Sequence, residues 1–250
     1  MEITVIVPVY NEEHNITNIA NLLVKRLTEL NYSPEEWEIL FVDDGSTDNT
    51  PNRLRELSLK NPSVKYIRNP HKGKGNAIKT GLIHAKGEII GIIDGDLEVR
   101  LAEPQKLYEY IQKLKNGTDI IIGSKAHPKT RGKISTYRRF LSIAFNKLAR
   151  LLTGVKLKDT QSGLKILKKQ VVNKILPLLE TEGFTIDIEL LSIAHILKYK
   201  IEEIPIKINL NNHFKTSEII KMLMELLKIT YKLKITREYL KQINYNLKSY

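Results

Sequence analysis

Short β-branched runs alternate with stretches of helical periodicity through the first half of the chain. Ile3–Val9, Ile39–Asp43, Val64–Ile67, Ile89–Asp94 and Ile120–Gly123 are apolar on both faces, the pattern of strands buried between helices in a parallel sheet. The stretches near Glu12–Leu30, Asn49–Leu59, Asn76–Ala85 and Pro104–Lys115 supply the crossovers. The fold class is therefore α/β, a mostly parallel central sheet flanked by helices. Asp48-Asn49-Thr50-Pro51 reads as a helix start, with proline tolerated in the first turn, and Trp37 as packing at a strand edge.

Beyond Gly123 the pattern changes. Ser135–Thr153 predicts an amphipathic helix with Phe140, Leu141, Ile143, Phe145, Leu148, Leu151 and Leu152 between Arg138, Arg139, Lys147 and Arg150. Such a helix either lies in a membrane interface or packs on the core, and the helix alone leaves both open. Ser217–Ile235 is a second such stretch, and Asp187–Leu197 a third predicted helix. The polar tail after Thr236 is expected to fray or dock weakly. The predicted organisation is a catalytic domain over residues 1–215 and a basic amphipathic helical extension over 216–250.

A length of 250 residues fits one large domain, and 42% apolar with 27% charged residues excludes global disorder. No apolar run approaches the roughly 18–20 residues that cross a bilayer, and none begins at Met1, so neither a spanning anchor nor a secretory signal is expected. With no cysteine there are no disulfides, thiolate metal sites or cysteine nucleophile, and the usage fits a reducing compartment. The net charge of +12 is uneven: residues 1–100 carry 12 basic against 15 acidic side chains, and residues 101–250 carry 28 against 13. Ten basic side chains and no acidic one lie from Lys125 to Lys158. This half is expected to meet something anionic: nucleic acid, a phosphate group or an anionic membrane.

The unusual residues cluster where predicted strands end, the edge at which open parallel sheets bind ligands. Pro8-Val9-Tyr10-Asn11-Glu12 ends the first strand, Asp43-Asp44-Gly45-Ser46-Thr47-Asp48 the second and Asp94-Gly95-Asp96-Leu97-Glu98 the fourth. Like charges gathered at one edge repel unless a cation or polar ligand sits between them. Oxygen ligands without His or Cys favour Mg²⁺ or Mn²⁺ sharing its shell with substrate phosphates. His71-Lys72-Gly73-Lys74-Gly75 is a basic turn opening a helix, and it matches neither strict phosphate-loop motif.

Together with Asn69-x-x-x-Gly73-Lys74-Gly75-x-Ala77, these segments resemble the family-two inverting glycosyltransferases of the glycosyltransferase A fold. Gly123-Ser124-Lys125, Asp159-Thr160-Gln161-Ser162-Gly163-Leu164-Lys165 and Phe184-Thr185-Ile186-Asp187-Ile188-Glu189 resemble the branch that glycosylates dolichyl or another polyprenyl phosphate. The Asp-Thr-Gln-Ser-Gly-Leu-Lys form leans toward the glucosyltransferases over the mannosyltransferases. The resemblance implies inverting transfer of a hexosyl group from a UDP-glucose or GDP-mannose type donor to the lipid phosphate.

Residue by residue it implies Pro8, Tyr10, Glu12, Asp44, Lys72, Asp94 and Lys215 around the donor, and Asp96 and Glu98 on the metal ion. Asp96, Arg138, Arg139 and Asp187 are the implied catalytic residues, and Lys125, Arg131 and Asp159 the implied acceptor side. The chain departs from the pattern in Lys125 for arginine, in Glu98 for the more frequent glutamine, and in His213-Phe214-Lys215-Thr216-Ser217 for a Ser-Lys motif. Many relatives carry transmembrane helices, so attachment here is expected to be peripheral, on the cytoplasmic side of a membrane, or through a membrane partner protein. The rival readings are a soluble-acceptor family-two glycosyltransferase acting on a hydroxyl and a nucleic-acid-binding module. The second leaves the acidic edge unexplained, so no nucleic acid is expected as a partner.

Overall fold

The computed structural model describes residues 1–30, 32–95, 99–100, 104–210 and 216–248. β1 (Ile3–Val9), α1 (Ile16–Thr28), β2 (Trp37–Asp43), α2 (Thr50–Lys60), β3 (Val64–Arg68), α3 (Lys74–His84) and β4 (Ile89–Ile93) follow one another as the alternation predicts. β5 (Val99–Arg100), α4 (Pro104–Lys115), β6 (Ile120–Ser124), β7 (Arg131–Ile134) and α5 (Thr136–Thr153) come next. β8 (Leu164–Lys168), α6 (Lys169–Ile175), α7 (Ile186–Ile196), β9 (Ile201–Pro205), β10 (Lys207–Leu210), α8 (Thr216–Thr230) and α9 (Glu238–Lys248) complete the order, with a π-helical turn at Tyr231–Ile235 before α9.

The main sheet has the strand order β3-β2-β1-β4-β8-β6-β9, and β5-β10-β7 form a small second sheet. The chain steps outward from β1 to β3, then returns to lay β4 on the other side of β1. That reversal opens a crevice between the ends of β1 and β4, the topological switch point where such sheets bind ligands. Alternation along β1 sends Val5 and Val7 to the face covered by α1 and α4, and Ile6 to the face covered by α3, α6 and α7. Trp37 is buried at the start of β2, two residues earlier than the apolar pattern predicts. β3 is half-exposed, contrary to the expectation of burial on both faces, because it is the outermost strand.

β8 was not legible as a strand, and it changes the geometry of the site. It pairs antiparallel with both β4 and β6, with Leu164 opposite Ile93. Its start therefore lies at the edge where the parallel strands end, which brings Asp159–Gly163 into the crevice. The tail is also corrected: α9 docks, with Tyr239 1% exposed in the core and its hydroxyl donating to Glu189 Oε1 at 2.6 Å. Tyr239 and the partly buried Ile243 pack this helix on the core.

α5 packs on the core along one face, as one of the two alternatives has it, and leaves apolar side chains exposed along another. Phe145, Leu148 and Leu152 pack around Ala149, Ile188 of α7 and Leu226 of α8. Tyr137, Phe140, Ile143 and Leu151 face outward, with Phe140 69% exposed. Ile220, Met224 and Leu227 on α8 are exposed as well.

Candidate active site

The first predicted group assembles around Asp44. Its carboxylate is buried at the end of β2 and accepts the backbone N–H groups of Lys72 at 3.0 Å and Gly73 at 2.8 Å. His71 Nδ1 lies 2.8 Å from Asp44 Oδ2 and 2.9 Å from the Asp44 carbonyl oxygen, so Nδ1 carries the donated proton. The His71 ring stacks on Tyr10 with centroids 4.4 Å apart. Tyr10 is exposed at the end of β1 and Pro8 is buried within that strand. Glu12 accepts from Asn15 Nδ2 at 2.9 Å and its N–H donates to Thr50 Oγ1, tying the β1 loop to the start of α2. Asp48 completes that tie, accepting the N–H groups of Thr50 and Glu13. The side chain of Lys72 is exposed beside the crevice while its backbone is fixed.

The second group is a chain of alternating charges that the sequence did not reveal as such. Lys74 Nζ lies 2.7 Å from Asp94 Oδ1 and 3.3 Å from Asp187 Oδ2, and Lys165 Nζ lies 2.6 Å from Asp187 Oδ1. Burial works against the Lys74 ammonium, but Asp187 and Asp94 outweigh it and hold its pKa above the usual lysine range. Burial likewise opposes the Asp187 carboxylate, and Lys165 and Lys74 outweigh it and hold its pKa below the usual carboxylate range. Asp187 is thus an ionised, doubly paired group in the first turn of α7, poorly suited to take up a proton as a general base. Lys165 lies inside β8 on the face of the buried Leu167 and is 1% exposed, although a lone lysine in sequence reads as a surface residue.

These shifts have a pH signature. The Asp187 contribution to stability is complete above its ordinary value of 3.8 and is lost as pH falls through the lower folded value. The Lys74 contribution is complete below 10.5 and is lost as pH rises through the higher folded value. Melting temperatures measured from pH 7 downward should therefore show an acid arm that Asp187→Asn flattens. Identical acid slopes in the two proteins would rule Asp187 out as its source.

The third group is the predicted acceptor side. Asp159, 1% exposed, accepts the Lys125 N–H at 2.8 Å, and the Lys125 ammonium faces Asp159 Oδ2 and the Gln161 carbonyl. The two residues come together, but mainly to fold the loop, since an ammonium already facing a carboxylate and a carbonyl offers less to an incoming phosphate. Arg131 in β7 and Arg139 in the first turn of α5 are exposed. The Asp159–Lys165 stretch joins the groups: Gly163 O accepts the Asp94 N–H at 3.0 Å, and Ser162 O accepts from Lys165.

Asp96, Glu98 and Lys215 lie outside the described residues, as does the side chain of Arg138 in α5. Among the described residues no three His, Asp or Glu side chains gather into a metal-holding group. In sequence Asp96 and Glu98 follow Asp94, and carboxylate oxygens of this kind are a donor set suited to Mg²⁺ or Mn²⁺.

With the switch point, the Asp44-anchored turn and the Asp94–Lys74–Asp187–Lys165 chain of charges in place, residues 4–176 match glycosyl transferase family 2. The chain belongs to that family. This family 2 glycosyltransferase is 32% identical over 235 residues to a Trichomonas vaginalis protein named dolichyl-phosphate beta-glucosyltransferase, covering 90% of the chain and 70% of that relative. It is also 32% identical to the Saccharomyces cerevisiae dolichyl-phosphate beta-glucosyltransferase, covering 82% of the chain and 66% of that protein. A Pyrococcus furiosus dolichol-phosphate mannosyltransferase is again 32% identical, with 93% and 64% covered. The chain thus spans about two thirds of the length of these relatives. Among solved structures, the glucosyl-3-phosphoglycerate synthase of Mycobacterium tuberculosis superposes with a TM-score of 0.68 at 18% identity, covering 92% of the chain and 80% of that protein. A second structure of that synthase, with Mn²⁺, UDP-glucose and glycerol 3-phosphate, gives a TM-score of 0.67 at 17% identity over 92% of the chain and 79% of the synthase. These likenesses bear out the mostly parallel glycosyltransferase A architecture.

Proposed function

We propose that this glycosyltransferase moves a hexosyl group, with inversion, from a nucleotide-diphosphate sugar to dolichyl or another polyprenyl phosphate. The observation that carries the reading is the 32% identity, over 90% of the chain, to a relative named for that acceptor. The Tyr10–His71 stack and the Asp44-anchored turn form the base and ribose end of the donor site. Asp96 and Glu98 would hold the divalent ion, which when bound neutralises charge building on the departing nucleoside diphosphate. Lys72, and Arg138, Arg139 or Lys215, add cations for the same phosphates, while Arg131 faces the acceptor.

The lipid phosphate attacks the anomeric carbon as the bond from that carbon to the diphosphate oxygen breaks. A phosphate monoester has a second pKa of about 6, so near neutral pH it attacks without a strong base. The two ion pairs of Asp187 fit a reaction of this kind, which rests on positioning and charge neutralisation.

The described residues contain no helix long and apolar enough to cross a membrane. We place the enzyme peripherally on the cytoplasmic side, its α5 and α8 face toward the lipid. A polyprenyl tail gains about 0.8 kcal/mol per buried CH₂ and does not leave the bilayer, so the enzyme comes to the headgroup. The outward Phe140, Ile143 and Leu151, with exposed Arg139, Lys147 and Arg150 on the same helix, suit an anionic interface. Wild type is expected to float with anionic liposomes, and Phe140→Asp with Ile143→Asp to leave it in the soluble fraction. Flotation of that double variant at wild-type level would refute this attachment.

The reaction itself is tested by incubating the protein with UDP- and GDP-sugars, Mn²⁺ and a polyprenyl phosphate, and weighing lipid products by mass spectrometry. Products formed only on a soluble sugar or sugar-phosphate acceptor would replace the lipid reading.

A further inference from the structure

We infer that Lys74 is a positioning residue of the donor site, holding Asp94, and with it the start of the segment that leads to Asp96, against the first turn of α7. The inference rests on the donor reading above and adds to it residues that need not touch the donor.

The turn before α3 is shaped to bury this lysine. Gly73 has φ +115°, a conformation side chains rarely adopt, and a Cβ there would lie 2.6 Å from the Glu182 carbonyl oxygen. A Cβ on Gly75 would lie 2.6 Å from the Thr181 carbonyl oxygen. The two glycines let the turn lie flat on the Thr181–Glu182 backbone, and the Asn76 N–H donates to Glu182 O at 3.2 Å. Lys74 is thereby directed beneath the crevice, between Asp94 and Asp187.

The contacts close a ring. Asp94 pairs with Lys74, Lys74 with Asp187, and Asp187 with Lys165. Lys165 donates to the Ser162 carbonyl, and the neighbouring Gly163 carbonyl accepts the Asp94 N–H. Four segments distant in sequence are locked together: the loop after β4, the turn before α3, the start of α7 and the start of β8. The four charges sum to zero, so the ring adds no net charge beside the switch point.

Exposure of the side chains grades from 1% at Lys165 through 5% at Asp187 and 17% at Lys74 to 27% at Asp94. The buried end is therefore the anchor, and the open end is the carboxylate that faces the crevice. Buried ion pairs are a poor source of stability, because desolvation offsets most of their attraction, so the role assigned to this ring is placement of the segments it joins. A ring whose open end sits two residues before Asp96 serves placement of that segment.

The test is a titration of the full chain with UDP and with GDP in Mn²⁺, by calorimetry, beside a melting curve. Wild type is expected to bind one of the two nucleotides. Lys74→Met should weaken that binding by about 10- to 100-fold, the range usual for residues that orient ligand-holding groups, and raise the Mn²⁺ needed for half-saturation. Lys74→Arg, which keeps the charge, should restore most of the affinity. Asp187→Asn should show the same defect, and Lys74→Met with Asp187→Asn together should be no worse than either alone, since the two act through one contact. Lys74→Gln serves the same comparison if methionine prevents folding. Wild-type nucleotide affinity and Mn²⁺ dependence in the folded Lys74 variants would overturn the inference and leave the donor reading standing, as would losses that multiply in the double variant. A wild type that binds neither nucleotide would overturn both.

Discussion

Asp96→Ala is expected to abolish sugar transfer while the chain stays folded. Asp94 follows β4 at the switch point, and Asp96 and Glu98, next in sequence, are the proposed oxygen ligands. A bound divalent ion supplies several kcal/mol of charge stabilisation at a departing diphosphate, which corresponds to about a thousandfold or more in rate. On the proposed metal role, the substitution should therefore lower Mn²⁺ affinity and nucleotide-diphosphate affinity together. Product mass from UDP- and GDP-sugars, read beside a melting curve, checks this. Turnover at the wild-type rate by the folded variant, or full activity of the wild type in EDTA, would refute the metal role.

Asp44→Ala is expected to damage both stability and donor binding, because one buried carboxylate organises the whole His71–Gly73 turn. The variant leaves the Lys72 and Gly73 N–H groups without their acceptor and leaves His71 Nδ1 only the residue-44 carbonyl oxygen. Hydrogen bonds to a charged group contribute roughly 1.5–3 kcal/mol each, and some of that loss is recovered as water enters. A net cost of about 2–3 kcal/mol lowers the melting temperature by roughly 5–10 °C in a domain of this size. Loss of the fixed turn frees His71 from Tyr10, so the donor KM should rise about tenfold or more. Asp44→Asn, which keeps one acceptor oxygen, should fall between. An Asp44→Ala protein with unaltered melting and donor KM would show that the turn holds itself.

The acidic edge was legible because it depends on local sequence alone. A buried strand such as Ile89–Ile93 must end at a sheet edge, and whatever follows it is delivered there. The same reasoning placed Tyr10 and Asp44, since β1 and β2 are read from uninterrupted apolar runs. Lys165 was not legible in the same way. Side-chain type assigns a lysine to the surface, but in Leu164-Lys165-Ile166-Leu167 it shares a strand face with the buried Leu167, and only a partner on another element makes its burial tolerable. Tyr239 was hidden for a related reason: its hydroxyl belongs in water until Glu189, on another element, supplies the acceptor that lets it be buried.

What the sequence determined by itself was the α/β class, the order of β1 to β4 with their helices, the edge at which the chemistry sits and the family to which the chain belongs. Each of these follows from hydrophobic periodicity or from residues close together along the chain. Only the tertiary structure decided that β8 runs antiparallel and carries Asp159–Gly163 into the crevice, and that Lys125 and Asp159 face each other. It alone joined Asp94, Lys74, Asp187 and Lys165, four residues scattered over the chain from 74 to 187. Strand direction and charge pairing depend on which elements meet, and at such separations no local pattern of polar and apolar residues encodes the meeting.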